Sequence, residues 1–203
     1  MSPRHPNDPV HPNDQVAAAK AALRRAALDR RDELAAEDRA AAAEAIAARP
    51  LPVPVGAGTV VSAYMAIHSE IDPAPLMRRF VENGAGLALP VVQGRGKPLL
   101  FRAWAPGVPL TTAGFGLLEP GPEAPIVVPD VLLVPLAAFD RAGHRIGYGA
   151  GHYDMTLAAL RAERPVVAIG LAYASQEIVR VPANERDARL DLVLTEAEII
   201  DCR

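Results

Sequence analysis

The chain has 203 residues, of which 50% are hydrophobic and 22% are charged, and its formal net charge is -3 at pH 7. This composition is typical of a globular domain with one sizeable core and excludes a wholly disordered protein. The weakly acidic charge provides no basic surface for a nucleic acid, and no apolar run approaches the roughly 20 residues that cross a bilayer, so we expect neither partner.

Residues 1–15 carry a short repeat, since the sequence His-Pro-Asn-Asp at positions 5–8 recurs at 11–14. Proline and turn-forming residues dominate, which predicts a disordered tail ahead of a single domain at residues 16–203. The tail could bind a metal, but a flexible segment does not preorganise ligands, so disorder is favoured. The polar start lacks a signal-peptide apolar region, and the single cysteine, Cys202, has no partner for an internal disulfide. We therefore expect a cytoplasmic protein.

Residues 15–49 contain no glycine or proline and are rich in alanine, arginine and glutamate. This composition predicts one helix, or a pair of helices broken near residues 34–37. Lys20 and Arg24 are four residues apart and therefore share one helix face, where both charges could address one anion. A solvated helix face is the more frequent explanation for such a pair, and the residues alone leave both open.

The rest of the chain alternates apolar runs with helix-forming segments. The runs that predict strands are residues 59–66, 87–92, 131–135, 166–171 and 192–194. The segments that predict helices are residues 72–83, with Asp72 as N-cap and Pro73 in the first turn, residues 153–163, and a short one near Gln176. Residues 95–118 predict irregular or antiparallel structure. Strands separated by helices predict a three-layer α/β/α fold with a mostly parallel central sheet in a single domain.

The glycine-rich segment at residues 145–154 follows an apolar strand and precedes a helix, which is where α/β sheets bind ligands. Three glycines at alternating positions let the backbone adopt positive φ angles and turn consecutive amides toward an anion. Arg145 adds a charged fork, and Asp154 adds a carboxylate suited to magnesium. The segment matches neither the dinucleotide fingerprint nor a Walker A loop. A phosphate-binding loop is favoured over a structural turn, and Asp154 could instead serve only the first turn of the helix.

Taken together, these elements resemble the 5-formyltetrahydrofolate cyclo-ligase family, also called 5,10-methenyltetrahydrofolate synthetases. The likeness spans residues 20–195 and lies in the order and spacing of short motifs. These motifs are Lys20-x-x-x-Arg24, Glu70-Ile71-Asp72, Leu89-Pro90, Phe101-x-x-Trp104, residues 115–120, Val134-Pro135, residues 138–140, the core at residues 147–154, and a closing segment with Gln176, Asp187, Asp191 and Thr195. Two positions depart from the family pattern. His152 stands where tyrosine or phenylalanine is usual, and Met155 stands where bacterial members often have arginine.

The resemblance implies an enzyme that uses ATP and Mg²⁺ to convert 5-formyltetrahydrofolate, with or without a polyglutamate tail, into 5,10-methenyltetrahydrofolate, ADP and phosphate through a phosphorylated formyl intermediate. It implies catalytic roles for Lys20 and Arg145, and metal ligation by Asp154 and Asp187. The residues that it assigns to ATP are Lys20, Arg24, Arg145, Ile146, Gly147, Tyr148, Gly149, Ala150, Gly151, His152 and Tyr153. The residues that it assigns to the folate are Met65, Glu70, Tyr148, Gly149, Ala150, Gly151 and His152.

Two other kinds of function remain open at this point. A phosphosugar isomerase or an acyl-CoA transferase would use a related sheet, but such enzymes need a carboxylate base or nucleophile in a motif that we do not find in the sequence. A non-catalytic sensor of nucleotide or folate would bind these ligands without converting them. We expect the cyclo-ligase first, acting on small molecules as a monomer.

Overall fold

The computed structural model describes residues 12–51 and 53–203. Its α-helices are α1 (Pro12–Asp32), α2 (Ala36–Ala48), α3 (Ala74–Glu82) and α4 (His152–Glu163). The predicted helix pair is confirmed, with its break after Asp32. Helix α1 begins at Pro12, inside the segment predicted to be a tail, while residues 1–11 of that segment lie outside the described residues. Within the described ranges, no helix has both the length and the apolar character needed to span a membrane.

The strands are short, and most follow the apolar runs of the sequence. They are β1 (Val60–Ser62), β2 (Gly86–Val91), β3 (Leu100–Trp104), β4 (Leu110–Thr112), β5 (Leu118–Pro120), β6 (Val131–Pro135), β7 (Ala138–Phe139), β8 (Arg145–Ile146), β9 (Val167–Leu171), β10 (Leu192–Leu194) and β11 (Ile199–Asp201). Two 3-10 turns lie at Gly114–Gly116 and Ala174–Gln176, and the second is the short helix predicted near Gln176.

Seven strands form one sheet in the order β11-β10-β9-β6-β1-β2-β3. The five inner strands are parallel, and β11 and β3 pair antiparallel at the two edges. The predicted mostly parallel sheet is therefore confirmed. Strand β1 has β2 on one side and β6 on the other, so the chain reverses its direction of winding there. In such sheets a ligand-binding crevice opens at the carboxyl ends of the two strands that flank the reversal.

Helices cover both faces of the sheet, as the three-layer prediction requires. Helices α2 and α3 pack on one face through Ile46 and Phe80, and α4 packs on the other through Leu157. Strand β6 contributes to both cores, because successive side chains of a strand point to opposite faces. Leu133 belongs to the first core and Leu132 to the second.

Helix α1 lies at the carboxyl edge of the sheet rather than on a face. Ala27 packs against Ala138 and Ile146, which belong to the separate β7–β8 hairpin. Near the end of the helix, Arg31 reaches the carbonyl of Leu136, the residue that follows β6. The first helix therefore lies over the crevice that the sheet topology predicts.

Three features differ from the prediction. The strand predicted at 59–66 ends at Ser62, because the chain leaves the sheet there to form a turn. The β7–β8 hairpin and the edge strand β11 are absent from the prediction, since segments of two or three residues are too short to show a hydrophobic period. Asp72 accepts the Ala74 amide at 2.9 Å, but α3 begins at Ala74 and its N-cap residue is Pro73, without a side-chain cap, so the prediction of Asp72 as N-cap is wrong by one residue.

Candidate active site

One face of α1 presents a stripe of three cations, Lys20, Arg24 and Arg31, which we call the α1 stripe. Spacings of four and seven residues keep these side chains on one face. Lys20 Nζ donates to Asp187 Oδ1 at 2.5 Å, and Arg24 Nε donates to the Gly147 carbonyl at 2.5 Å. Burial lowers the pKa of Arg24. A purely solvated helix face is therefore the wrong explanation for the Lys20–Arg24 pair, because both side chains contact distant segments.

The glycine-rich loop, residues 147–151, joins β8 to α4, and its backbone amides donate no hydrogen bond within the described part of the chain. Gly149 and Gly151 have φ angles of 96° and 70°. Across residues 12–51 and 53–203, no acceptor bonds to the loop amides or to the first three amides of α4. The Arg24 guanidinium lies against Gly149, where an added Cβ would come within 3.4 Å of a guanidinium nitrogen. Free amides at a helix N-terminus beside a cation form an arrangement that binds anions.

A partly buried ion pair joins the buried Arg145 to the half-buried Asp154 at the base of the loop. One terminal nitrogen of Arg145 donates to Asp154 Oδ1 at 2.7 Å, and the other donates to the Ala188 carbonyl. The Ala188 amide donates to the same Asp154 oxygen at 3.1 Å. Burial lowers the pKa of Arg145, and the nearby carboxylate of Asp154 opposes that shift. Both terminal nitrogens of Arg145 donate to protein acceptors, so Arg145 positions Asp154. Contact between Arg145 and a phosphate stays a prediction.

The C-terminal segment brings Asp187 to the same place. Its Oδ1 accepts the Lys20 ammonium, its Oδ2 accepts the Asn184 amide at 2.7 Å, and the side chains of Lys20 and Asp187 are each 16% exposed. Asp187 directly precedes Ala188, which is bonded to the Arg145–Asp154 pair. Two carboxylates and two cations predicted from separate parts of the sequence therefore lie together.

A tight turn after β1 presents Glu70. The Glu70 amide donates to the Ile67 carbonyl at 3.1 Å, and the Ile67 amide donates to Glu70 Oε2 at 3.0 Å. His68 has a φ of 53° and is the one non-glycine residue with positive φ among those described. That conformation costs about 1–2 kcal/mol, and such strain is found most often at functional sites. Burial raises the pKa of Glu70, while the Ile67 amide, the charge of Arg31 and the Tyr148 hydroxyl partly oppose the shift.

The other residues predicted to contact folate lie near this turn. Tyr148, on the loop, is 43% exposed, and its hydroxyl accepts a hydrogen bond from Arg31 at 2.9 Å. Tyr153, which the resemblance assigns to ATP, is the second residue of α4, and burial, together with the charge of Glu70, raises its pKa. Met65 is half-buried against the first core. Of the residues predicted to contact folate, Met65, Glu70 and Tyr148 therefore lie near the carboxyl end of β1, and their contact with folate stays a prediction.

His152, the first departure from the family pattern, makes a contact with the β2–β3 connection. Its Nδ1 lies 3.1 Å from the Lys97 carbonyl. Thr156 strengthens this link, because its hydroxyl donates to the His152 carbonyl at 2.6 Å and accepts the Leu99 amide at 2.8 Å. A tyrosine or phenylalanine could not make the ring-nitrogen contact. Met155, the second departure, is half-buried in the first turn of α4.

Several other motif residues serve the scaffold. Asp140 Oδ1 accepts the amides of Ala142 and His144 at 3.0 and 3.1 Å, and its Oδ2 accepts the Val181 amide at 2.9 Å. Gln176 is buried and donates to two consecutive carbonyls that follow β6. These residues shape the loops of the site without facing the crevice.

Residues 16–196 match the model of the 5-formyltetrahydrofolate cyclo-ligase family. The chain belongs to this family of enzymes. A 5-formyltetrahydrofolate cyclo-ligase of Mycolicibacterium smegmatis is 37% identical over 146 residues, covering 68% of this chain and 74% of the relative. One of Escherichia coli K12 is 30% identical over 151 residues, covering 72% and 82%. The solved 5,10-methenyltetrahydrofolate synthetase of Aquifex aeolicus aligns with a TM-score of 0.73 at 28% identity, covering 91% of this chain and 93% of that chain.

These comparisons confirm the resemblance found in the sequence. The 5,10-methenyltetrahydrofolate synthetase of Mycoplasma pneumoniae aligns with a TM-score of 0.68 at 24% identity, covering 87% of this chain and 98% of that one, and supports the shared fold. Membership of the cyclo-ligase family does not assign a role to any single residue of the site. Those roles stay predictions.

Replacing Glu70 with glutamine should stabilise the free protein at neutral pH. Burial raises the pKa of Glu70 in the folded state, so the folded chain holds this proton more tightly than the unfolded chain. The resulting stabilisation is present below the unfolded pKa and is lost as the pH rises through the folded pKa. Glutamine can keep the bond from the Ile67 amide and carries no buried charge. In thermal unfolding, the melting temperature of the variant relative to the parent protein should therefore increase as the pH rises above about 4.3, the ordinary pKa of a glutamate.

The exposed Glu82 provides the matched control for this experiment. Glu82→Gln removes one carboxylate without removing a buried charge, so its unfolding temperature should follow that of the parent protein at every pH. Equal pH dependence in the two variants would show that the carboxylate of Glu70 is not destabilised by its position in the turn.

Proposed function

We propose that this chain cyclises 5-formyltetrahydrofolate to 5,10-methenyltetrahydrofolate with ATP, releasing ADP and phosphate. One observation carries the proposal. The amides of the glycine-rich loop and of the start of α4 have no acceptor in the described protein, and they lie beside the α1 stripe. Amides in that arrangement suit the phosphate groups of a nucleotide. The buried carboxylate of Glu70 lies near the Tyr148 hydroxyl and suits the hydrogen-bond donors of a pterin ring.

The chemistry requires ATP because the formyl oxygen is a poor leaving group. In the proposed reaction, that oxygen attacks the γ-phosphorus, so a new oxygen–phosphorus bond forms as the bond to ADP breaks. The product is an iminium phosphate. Nitrogen 10 then attacks the formyl carbon and loses its proton, and the carbon–oxygen bond breaks to release phosphate. None of these steps needs a protein nucleophile, so catalysis consists of positioning and electrostatic stabilisation.

In this proposal, Lys20 and Arg24 act on the phosphates together with the loop amides. Lys20 is a compact charge that can leave Asp187 for the transferring phosphoryl group, whereas Arg24 holds the loop carbonyl and the ribose-side phosphates. Arg145 acts indirectly by holding Asp154. Met65, Glu70, Tyr148 and His152 line the folate side.

Mg²⁺ fits the two carboxylates of this site. Within residues 12–51 and 53–203, no group of three or more histidine, cysteine or acidic side chains gathers around one point. Magnesium at phosphate sites takes one or two carboxylates and completes its shell with phosphate oxygens and water, so a larger cluster is not required. The second carboxylate oxygen of Asp154 accepts no bond within the described chain. Asp187 precedes Ala188, whose amide bonds to Asp154. The oxygens of Asp187 accept Lys20 and the Asn184 amide, so Asp187 would ligate the ion once Lys20 has moved to the phosphate. When bound there, the ion would neutralise phosphate charge.

The direct test is a spectrophotometric assay of the full chain with 5-formyltetrahydrofolate, ATP and Mg²⁺. We expect methenyltetrahydrofolate absorbance to appear only when ATP is present, with one phosphate released for each product molecule. Binding of ATP and folate without product would contradict the proposal and would support the sensor function instead. Cytoplasmic location and a monomeric state stay predictions.

Gly147→Ala tests whether the loop is a phosphate cradle or only a structural turn. Gly147 does not have a positive φ, and a Cβ added there would meet no atom within 4 Å. Unfolding stability should therefore change by less than about 1 kcal/mol. If phosphates occupy the open space beside the loop, the methyl group should lower kcat/KM for ATP by about ten-fold or more. Full activity in this variant would mean that the loop is only a turn.

Gly149→Ala is the contrasting variant. Its φ of 96° disfavours alanine, and the new Cβ would crowd the Arg24 guanidinium. Both stability and turnover should therefore fall. A variant that loses turnover but keeps its stability has lost space for the ligand, whereas a variant that loses both has a damaged loop.

A further inference from the structure

Arg31 is a buried arginine with no role in the function described so far. It is 1% exposed, and each of its three nitrogens donates a hydrogen bond. Nε donates to Ser69 Oγ at 2.9 Å, one terminal nitrogen donates to the Tyr148 hydroxyl at 2.9 Å, and the other reaches the Leu136 carbonyl at 3.5 Å. Among the described residues, no carboxylate oxygen lies within 4.0 Å of an Arg31 nitrogen, whereas Lys20 and Arg145 each have such a partner. A buried charge without a direct counter-ion lowers the stability of the fold, so we expect Arg31 to have a function that offsets this cost.

The partners of Arg31 belong to three separate parts of the site. Ser69 lies in the strained turn that presents Glu70, Leu136 follows β6, and Tyr148 lies in the glycine-rich loop. Ser69 in turn donates to Asp32, the last residue of α1, so the turn is tied to the helix at two points. Arg31, the third cation of the α1 stripe, therefore links helix α1 to both walls of the crevice.

The contact with Tyr148 fixes the direction of that side chain. The hydroxyl oxygen accepts a hydrogen from the buried Arg31, while Tyr148 as a whole remains 43% exposed. With its oxygen used as an acceptor, the hydroxyl has its own hydrogen available for the neighbouring carboxylate of Glu70. The charge of Arg31 and the Tyr148 hydroxyl both favour the ionised form of Glu70. The arginine thus acts on the folate side of the site, whereas Lys20 and Arg24 of the same stripe act on the phosphate side.

We propose that Arg31 is a positioning residue for folate binding, which holds the Tyr148 ring as one wall of the folate pocket and fixes the Ser69–Glu70 turn as the other. This role rests on the proposed function. Only a planar fork can serve Ser69, Tyr148 and Leu136 in fixed directions at the same time. Lysine at this position would keep the charge but lose the geometry.

The first test is steady-state kinetics of Arg31→Lys, Arg31→Gln and Tyr148→Phe. In Arg31→Gln, KM for 5-formyltetrahydrofolate should rise by about ten-fold or more, while KM for ATP changes little. Arg31→Lys should show the same selective change to a smaller degree. Arg25→Gln is the matched control, because Arg25 is an exposed arginine on the same helix, and its kinetics should equal those of the parent protein. Equal changes in the two KM values would overturn the proposal.

A double variant shows whether Arg31 acts through Tyr148. Arg31→Gln combined with Tyr148→Phe should have nearly the same KM for folate as Arg31→Gln alone, because the two residues share one interaction. Additive effects would show that the arginine acts independently of the tyrosine and would contradict the proposed route.

A second measurement does not depend on turnover. Chymotrypsin should cleave the folded Arg31→Gln protein after Tyr148 several-fold faster than the parent protein or Arg25→Gln, because the ring is no longer held. Unchanged cleavage would overturn the positioning role. A parent protein without cyclo-ligase activity but with this cleavage difference would contradict the proposed function and leave the positioning of Tyr148 established.

Discussion

Replacing Lys20 with methionine should lower kcat by about 10²–10³-fold and leave the protein folded. The ammonium is the only lysine charge on the α1 stripe, and it lies 2.5 Å from Asp187, beside the carboxylates proposed for Mg²⁺. During phosphoryl transfer, negative charge develops on the γ-phosphate, and a positioned cation stabilises that charge more than it stabilises bound ATP. The loss should therefore appear in kcat more than in KM for ATP.

The chain provides a matched control for this variant, since Lys97 is its only other lysine. Lys97 is exposed on the β2–β3 connection, where only its carbonyl contacts His152. Lys97→Met should keep the activity of the parent protein. If Lys20 merely formed a structural salt bridge with Asp187, its removal would lower the stability and would leave kcat nearly unchanged. That outcome would contradict the catalytic role.

Asp154→Asn should reduce both turnover and stability. The change leaves the guanidinium of Arg145, which is 8% exposed, without its counter-ion. Because Arg145 is buried, removal of its partner leaves an uncompensated buried charge, and we expect a loss of about 2–3 kcal/mol in the free energy of unfolding. Turnover should fall by about 10²-fold or more because the carboxylate proposed for Mg²⁺ is lost. Chemical denaturation and the dependence of kcat on Mg²⁺ concentration measure the two effects.

Two further variants separate this role from simple support of the helix. If Asp154 served only the first turn of α4, Asp154→Asn would cost about 0.3–1 kcal/mol, the range for a carboxylate at a helix N-terminus. Glu37→Gln, at the exposed first turn of α2, calibrates that smaller effect. Arg145→Met removes the buried charge itself, so it should destabilise the protein less than Asp154→Asn while still reducing turnover. A small loss of stability and normal activity in Asp154→Asn would contradict both proposed roles.

Local sequence patterns predicted most of the regular elements. Long helix-forming segments gave α1, α2 and α4, and apolar runs gave β2, β6 and β9 at nearly their observed bounds. These elements show in the sequence because their hydrophobic patterns extend over several residues. The β7–β8 hairpin does not, since each strand has two residues and its structure depends on Asp140 accepting three distant or local amides.

The residues of the candidate site also fall into those that the sequence predicted and those that only the structure revealed. The glycine-rich segment and the order of its neighbouring motifs pointed to ligand binding and to the family, because alternating glycines leave a local signature. The role of Arg145 could not be read from that signature. Only the fold shows that its nitrogens are occupied by Asp154 and Ala188, and that Arg31 enters the site although no motif marks it.

The sequence by itself therefore determined the three-layer fold, the family and the position of the glycine-rich loop, all of which follow from patterns between near neighbours in the chain. The tertiary structure alone decided which charges meet. Lys20 and Asp187 are 167 residues apart, and Arg31 and Tyr148 are 117 residues apart. Contacts at such separations depend on how the helix α1 crosses the edge of the sheet, and no local pattern encodes that crossing.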